Sequence, residues 1–79
     1  MNRSWVNCGN SFYEDKFEKV CEELEKGELV DIYIDCIGHT RNNMTQEVYK
    51  KALVTKYGDK LEVIFHEGVC SYSYSYKLK

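Results

Sequence analysis

The chain contains no proline and only five glycines among its 79 residues. Without proline, no helix or strand is interrupted by a residue that lacks a backbone N–H group. No apolar run approaches the roughly 20 residues of a membrane-spanning helix, and the N-terminus lacks the apolar stretch of a signal peptide. We therefore expect a single domain over residues 1–79, located in the cytoplasm, with reduced cysteines and no membrane association.

A strong excess of one charge is also lacking, because the formal net charge is only −2. The charges are divided along the chain. Residues 1–35 carry nine acidic and four basic side chains, whereas residues 36–79 carry four acidic and seven basic ones. A nucleic-acid binder needs a larger positive patch, so we do not expect nucleic acid as a partner. No glycine-rich phosphate-binding loop of the Walker or dinucleotide type occurs either.

The most regular pattern lies in residues 68–78, where large and small side chains alternate. Alternation with a period of two predicts a β-strand with two different faces. One face carries Cys70, Tyr72, Tyr74, Tyr76 and Leu78, and the other carries Ser71, Ser73, Ser75 and Lys77. We expect the tyrosines to line the core, because three buried serines would fill it poorly. In the alternative orientation, an exposed tyrosine ladder would bind bases or a protein.

Apolar residues at helical spacing predict a first helix over residues 12–26. Ser11 and Glu14 have the spacing of a capping box, and Gly27 is placed to end the helix.

A second helix is predicted over residues 45–57, with Asn43 or Thr45 as its N-terminal cap. Its expected inward-facing residues are Val48, Tyr49, Ala52, Leu53 and Tyr57.

Alternating apolar residues predict strands over residues 29–37 and 61–67, and residues 5–8 are a candidate for a short first strand. The expected inward-facing residues are Val30, Ile32, Ile34, Cys36, Leu61, Val63 and Phe65. A right-handed crossover between the two longer strands would make them parallel. The predicted fold is an α/β (α+β) two-layer sandwich of order (β)αβαββ. Two helices cover one face of a mixed three- or four-stranded sheet, and a hairpin ends the chain.

The face of this sheet opposite the helices is the first candidate site. It would be flat and rich in small residues, and it would serve either as a plain solvated surface or as a docking surface for a protein. The predicted interface residues are Asp31, Tyr33, Asp35, Ile64, His66, Ser71, Ser73 and Ser75.

The polar segment before the second helix is the second candidate. Free N–H groups at a helix N-terminus attract anions, and Arg41 adds a donor fork for phosphate or carboxylate. The ligand-binding residues would be His39, Thr40, Arg41, Asn42 and Asn43. A capped helix start with solvated polar residues is the alternative interpretation.

A metal site is the third candidate, because cysteine and histidine are zinc ligands and occur here at short spacings. The ligand set would be Cys36, His39, His66 and Cys70. The favoured expectation is nevertheless no metal and no cofactor, since a buried cysteine often serves only for packing.

No complete catalytic set is apparent, so the chain is expected not to be an enzyme. The favoured hypothesis is a small protein-binding module, of the inhibitor or adaptor type that phages and mobile elements encode. Its partner would be another protein or a second copy of itself. The alternatives are a small-ligand or phosphate binder, or a weak enzyme, that uses His39 and Arg41, and a zinc-stabilised domain.

Overall fold

The computed structural model describes residues 2–35 and 38–79. The described part of the chain folds into four strands, two α-helices and one 3₁₀ turn. The elements are β1 (Arg3–Asn7), α1 (Glu14–Glu25), β2 (Leu29–Tyr33), α2 (His39–Tyr57), the 3₁₀ turn Gly58–Lys60, β3 (Leu61–Glu67) and β4 (Tyr72–Leu78). The predicted order is confirmed, and the uncertain first strand is present. Neither described helix combines the length and the apolarity needed to cross a membrane.

The four strands form one mixed sheet in the order β1-β2-β4-β3. β1 runs parallel to β2, and β4 runs antiparallel to both of its neighbours. The β2 and β3 strands therefore run in the same direction, as predicted, but β4 lies between them. The β3–β4 hairpin closes through a connection at residues 68–71, where the Gly68 N–H group donates to the Ser71 carbonyl at 2.8 Å.

The core lies between the helices and one face of the sheet. It is formed by alternate strand residues and by one stripe of each helix. The buried apolar residues are Val6, Cys8, Val20, Cys21, Leu24, Val30, Ile32, Ile34, Tyr49, Leu53, Leu61, Tyr74 and Tyr76. The predicted inward orientation of the tyrosines is confirmed for Tyr74 and Tyr76, and Tyr72 packs at the margin of the core. The exposed tyrosine ladder is excluded. Cys70 was wrongly placed on this face, since it is exposed in the connection before β4.

The predicted capping box of α1 does not form. Tyr13 is the N-cap, and no side chain caps it. The Tyr13 N–H group instead donates to the hydroxyl of Tyr49 at 3.1 Å, and the Phe12 ring packs 4.8 Å from the Tyr49 ring. Tyr49 of α2 thus contacts the residues that precede α1 through both a hydrogen bond and a ring contact. Because of these contacts, α1 begins two residues later than predicted. Glu14 and Asp15 still place negative charge in the first turn, which favours the helix dipole.

The α2 helix begins at His39, so the predicted polar loop is its first turn and the caps predicted at Asn43 and Thr45 are wrong. The chain enters the helix at Gly38, whose φ of 94° is readily adopted by glycine. The Thr45 hydroxyl donates to the Arg41 carbonyl at 2.8 Å, within the helix rather than at its end.

Two residues predicted to face inward are exposed, although Phe65 does lie on the helix side of the sheet. Val48 is 47% exposed, because α2 turns Thr45, Gln46, Tyr49 and Leu53 towards the sheet instead. Phe65 is 52% exposed, because it belongs to an edge strand that α2 covers only in part. The β2 strand ends at Tyr33, and the predicted Cys36 position lies outside the described residues.

Candidate protein-binding face

The face of the sheet opposite the helices brings together side chains from all four strands. Most of the predicted interface lies here, namely Asp31, Tyr33, Ile64, His66, Ser73 and Ser75. Asp35 and Ser71 lie beyond the ends of β2 and β4. We call this surface the open face.

A polar network crosses the open face from one edge strand to the other. Arg3 on β1 forms a double hydrogen bond and ion pair with Asp31 on β2, with the Nη2 to Oδ1 distance at 3.0 Å. The Ser75 hydroxyl on β4 donates to the same carboxylate, and the Nε2 atom of His66 on β3 lies 2.6 Å from the Ser75 Oγ atom. The network buries Asp31 and Ser75, which the sequence predicted to be surface residues.

The network keeps Asp31 ionised. Burial alone would raise the pKa of Asp31, but hydrogen bonds from Arg3 and Ser75, with the positive charge of Arg3, bring that pKa below its ordinary value. The same contact with Asp31 raises the pKa of Arg3. The centre of the open face therefore carries an internally neutralised ion pair rather than an unpaired charge.

Histidine, serine and aspartate also make up hydrolase triads, but their order here is different. In a triad, histidine lies between serine and aspartate and takes the serine proton. Here Ser75 lies in the middle and donates a hydrogen bond to the Asp31 carboxylate, which leaves its oxygen to accept a hydrogen bond from His66. Ser75 is also buried, out of reach of a substrate. The arrangement fixes the sheet but does not activate a nucleophile.

Two aromatic side chains lie beside this network, of which Tyr33 was predicted and Trp5 was missed by the sequence interpretation. Trp5 is 69% exposed and Tyr33 is 52% exposed, and both point away from the helices. The guanidinium of Arg3 lies 5.8 Å from the centre of the Trp5 ring. The signal was available, because an inward-facing Val6 places its neighbour Trp5 on the opposite face of the same strand.

The sheet is split at one end, where β2 and β4 separate. These strands pair only at Val30 with Tyr76 and at Asp31 with Ser75. Beyond these pairs, the carbonyl of Ile32 accepts a hydrogen bond from outside the sheet.

Amide side chains of α2 fill this split. Gln46 Nε2 donates to the Ile32 carbonyl at 3.2 Å. Asn43 Oδ1 accepts from the Tyr72 N–H group at 3.0 Å, and Asn42 Nδ2 donates to the Tyr72 carbonyl at 3.2 Å. Two of the predicted ligand-binding residues, Asn42 and Asn43, therefore bind the protein's own backbone.

A cleft of about 410 Å³ opens at the split and adjoins the open face. Its lining includes Arg3, Asp31, Tyr33, His66, Glu67 and Gln46. Because the Gln46 amide nitrogen must face the Ile32 carbonyl, its Oε1 atom is fixed as an acceptor. That buried oxygen has no hydrogen-bond partner among the described residues. Because that oxygen is fully buried, a donor group in the cleft does not contact it.

The remaining predicted ligand-binding residues, His39, Thr40 and Arg41, lie together on the exposed first turn of α2. They border a separate groove of about 620 Å³ whose other walls include Phe12, Met44 and Val48. This groove is on the opposite side of the molecule from the open face and is largely apolar.

The structure does not assemble the proposed metal site from its described members. No group of three or more histidine, cysteine, aspartate or glutamate side chains within residues 2–35 and 38–79 is placed to hold a metal ion. His66 is engaged with Ser75, and Cys36, the fourth proposed ligand, lies outside the described residues.

Neither a scan against models of protein families nor a search of curated proteins finds a match to this chain.

Proposed function

We propose that the chain is a small protein-binding module that docks a partner protein on its open face. The observation that carries this proposal is the exposure of Trp5, at 69%, on a sheet face that no helix covers. Tryptophan and tyrosine are enriched among the residues that dominate binding energy, and Tyr33 lies on the neighbouring strand. Inhibitor or adaptor action follows from such binding.

The polar network supports docking because it removes a cost of association. An unpaired charge buried by a partner loses its hydration without compensation. Arg3 and Asp31 already neutralise each other within the module. A partner that covers them therefore meets a nearly neutral surface with aromatic margins.

The cleft suggests one property of the partner. Arg3 and Asp31 are paired, so among the described residues that line the cleft Glu67 remains as the carboxylate without an ion-pair partner. We propose that the partner inserts a lysine or arginine side chain there while its apolar surface covers Trp5. The free thiols of Cys8 and Cys21 favour a reducing compartment, and we assign the module to the cytoplasm.

Trp5→Ala tests this proposal. The matched control is Met44→Ala, because Met44 is similarly exposed, at 65%, but lies on α2. Wild type and both variants are immobilised, and the proteins that each retains from the host extract are identified. The retained proteins are then purified and titrated against wild type and against each variant by calorimetry. We expect Trp5→Ala to raise the Kd at least about 30-fold, as for other interface tryptophans, and Met44→Ala to change it little. Binding lost with Met44→Ala but kept with Trp5→Ala, or no selective retention, contradicts the proposal.

The ligand-binding alternative is supported by the groove beside His39 and Arg41. Its apolar walls favour an anionic ligand with an apolar body over bare phosphate. Calorimetric titration with dodecanoate and with inorganic phosphate compares the two, and unchanged dodecanoate affinity in Arg41→Ala excludes Arg41 as the anion contact.

A further inference from the structure

The β3 strand is an edge strand with unpaired backbone groups. At its two ends, Lys79 N–H donates to the Lys60 carbonyl and Gly68 N–H donates to the Ser71 carbonyl, both at 2.8 Å. Hydrogen-bonded positions alternate along an antiparallel pair, so the even-numbered residues of β3 bond to β4. The odd-numbered residues Leu61, Val63, Phe65 and Glu67 consequently turn their N–H and carbonyl groups outward. The Leu61 N–H group donates to the Gly58 carbonyl, and the other outward groups have no hydrogen-bond partner among the described residues.

Apolar side chains accompany this unpaired edge. Phe65 is 52% exposed and Val63 is half-buried, and both lie on the helix side of the sheet. The ring of Phe65 packs against Tyr72 and Tyr74 at 5.3 and 5.5 Å between centroids. Its remaining surface is uncovered because α2 lies mainly over β4. An unpaired edge with exposed apolar residues favours pairing with another strand.

We infer that β3 pairs with β3 of a second copy, antiparallel, about a two-fold axis through Ile64. This register places Val63 opposite Phe65 of the second copy and Leu61 opposite Glu67. All of these are outward-facing positions, and the Leu61 N–H group is already used within each copy, so the two strands exchange on the order of six main-chain hydrogen bonds. The apolar side chains of Val63 and Phe65 then cover each other across the junction.

Side-chain pairing and overlap select this register over its neighbours. With the axis at Ile64, the Glu62 carboxylate lies opposite the His66 ring of the second copy, on the open face. Moving the axis to residue 62 places two Glu62 carboxylates opposite each other, and moving it to residue 66 leaves only residues 65–67 of the two strands to overlap. Like charges directly opposite are destabilising. Axes at residues 63 or 65 shorten the overlap and leave Glu62 without a complementary partner.

The other edge strand is a poorer match. β1 has five residues against the seven of β3. Pairing β1 of one copy with β3 of another would leave one unpaired edge strand on each copy, so further copies would add without limit and form a filament. The two-fold pairing of β3 with β3 instead gives a closed dimer. The closed dimer joins two sheets into one of eight strands with both open faces on the same side. The inference does not depend on the proposed docking function.

Disulfide trapping tests the axis. In a background carrying Cys36→Ser and Cys70→Ser, Ile64→Cys places two thiols on the axis. The Cα atoms are about 4.5 Å apart in such a pair, which suits a disulfide. Glu62→Cys is the matched control, because its two copies lie roughly 13 Å apart along the strands. We expect mild oxidation to cross-link Ile64→Cys at least about tenfold faster than Glu62→Cys.

Equal cross-linking rates for the two cysteine variants overturn the inference, since they indicate random collision. Sedimentation of the wild type is a second measurement that needs no substitution, and a pure monomer at about 1 mM also overturns it. Trp5→Ala is expected to leave cross-linking unchanged. Loss of partner binding and loss of the dimer are therefore distinguishable.

Discussion

The two faces of the sheet are built from the same strands but stabilised by different forces. On the covered face, Tyr74 and Tyr76 bury apolar area against the helices. On the open face, their neighbour Ser75 is equally buried, but by the ion pair of Arg3 and Asp31 rather than by apolar contacts. The aromatic residues Trp5 and Tyr33 remain exposed on the open face. The sheet face that no helix covers is thus ordered by its own polar network. Its aromatic residues are not needed for that order and stay available to a partner.

The largest expected effect comes from removing apolar volume on the covered face. Leu53 is fully buried, and Leu53→Ala leaves a cavity, so we expect a loss of about 2–5 kcal/mol in the free energy of unfolding. In a domain of 79 residues, that is a large part of the total stability. Urea unfolding followed by circular dichroism measures it.

Trp5→Ala provides the contrast from the open face. Because Trp5 is mostly exposed, we expect its removal to change the free energy of unfolding by less than about 1 kcal/mol. A destabilisation as large as that of Leu53→Ala would show that Trp5 supports the fold, and the division of roles between the two faces would be wrong.

Asp31→Asn is expected to have the next largest effect. It removes the ion pair with Arg3 and weakens the bond from Ser75, and hydrogen bonds to charged groups contribute about 1.5–3 kcal/mol each. Arg3 is half-exposed and remains hydrated after the change, so we expect a loss near the lower end of that range.

The effect of Asp31→Asn depends on pH in a defined direction. The pKa of Asp31 is lowered on folding, so its contribution is fully present above the unfolded pKa of about 3.9 and is lost as the pH falls through the lower, folded value. Wild type and Asp31→Asn should therefore differ most at neutral pH and converge in acid. A difference that stays constant down to about pH 2 would show that the carboxylate charge is not the stabilising feature.

Much of the covered face was predictable from sequence because its pattern is local. The alternation around Tyr74 and Tyr76 specifies a strand and its buried side, and the apolar stripe of α1 specifies the first helix. The position of β4 between β2 and β3 was not predictable in this way, because strand order depends on which long-range pairs bury the most surface. The start of α2 was missed since Asn42 and Asn43 bond to Tyr72, far along the chain.

The open face was predicted in outline but not in its interior. The alternation of side chains along β2 and β4 placed Asp31 and Ser75 on that face. Their burial, however, depends on Arg3, which lies 28 residues from Asp31 in sequence. Trp5 was missed because β1 has only five residues, too few to give a clear alternation. Tertiary hydrogen bonds, rather than local propensity, decided the burial of Asp31 and Ser75.

Small effects of opposite sign are expected from two buried tyrosines that differ by their hydroxyl contacts. Burial raises the pKa of both, so both are neutral at pH 7. The Tyr49 hydroxyl accepts from the Tyr13 N–H group at 3.1 Å and donates to the Ser11 carbonyl at 3.2 Å. The Tyr76 hydroxyl is buried without a hydrogen-bond partner among the described residues.

Removal of the same atom should therefore have opposite signs at these two sites. Tyr49→Phe leaves a donor and an acceptor unmet, so we expect it to destabilise the fold by about 1–2 kcal/mol. Tyr76→Phe removes a buried hydroxyl that forms no hydrogen bond with the described residues of the folded protein. We therefore expect the free energy of unfolding to stay constant or to rise by up to about 1 kcal/mol. Urea unfolding of both variants side by side measures the difference. Equal destabilisation would mean that a water molecule reaches the Tyr76 hydroxyl, and the covered face would then contain a polar site of its own.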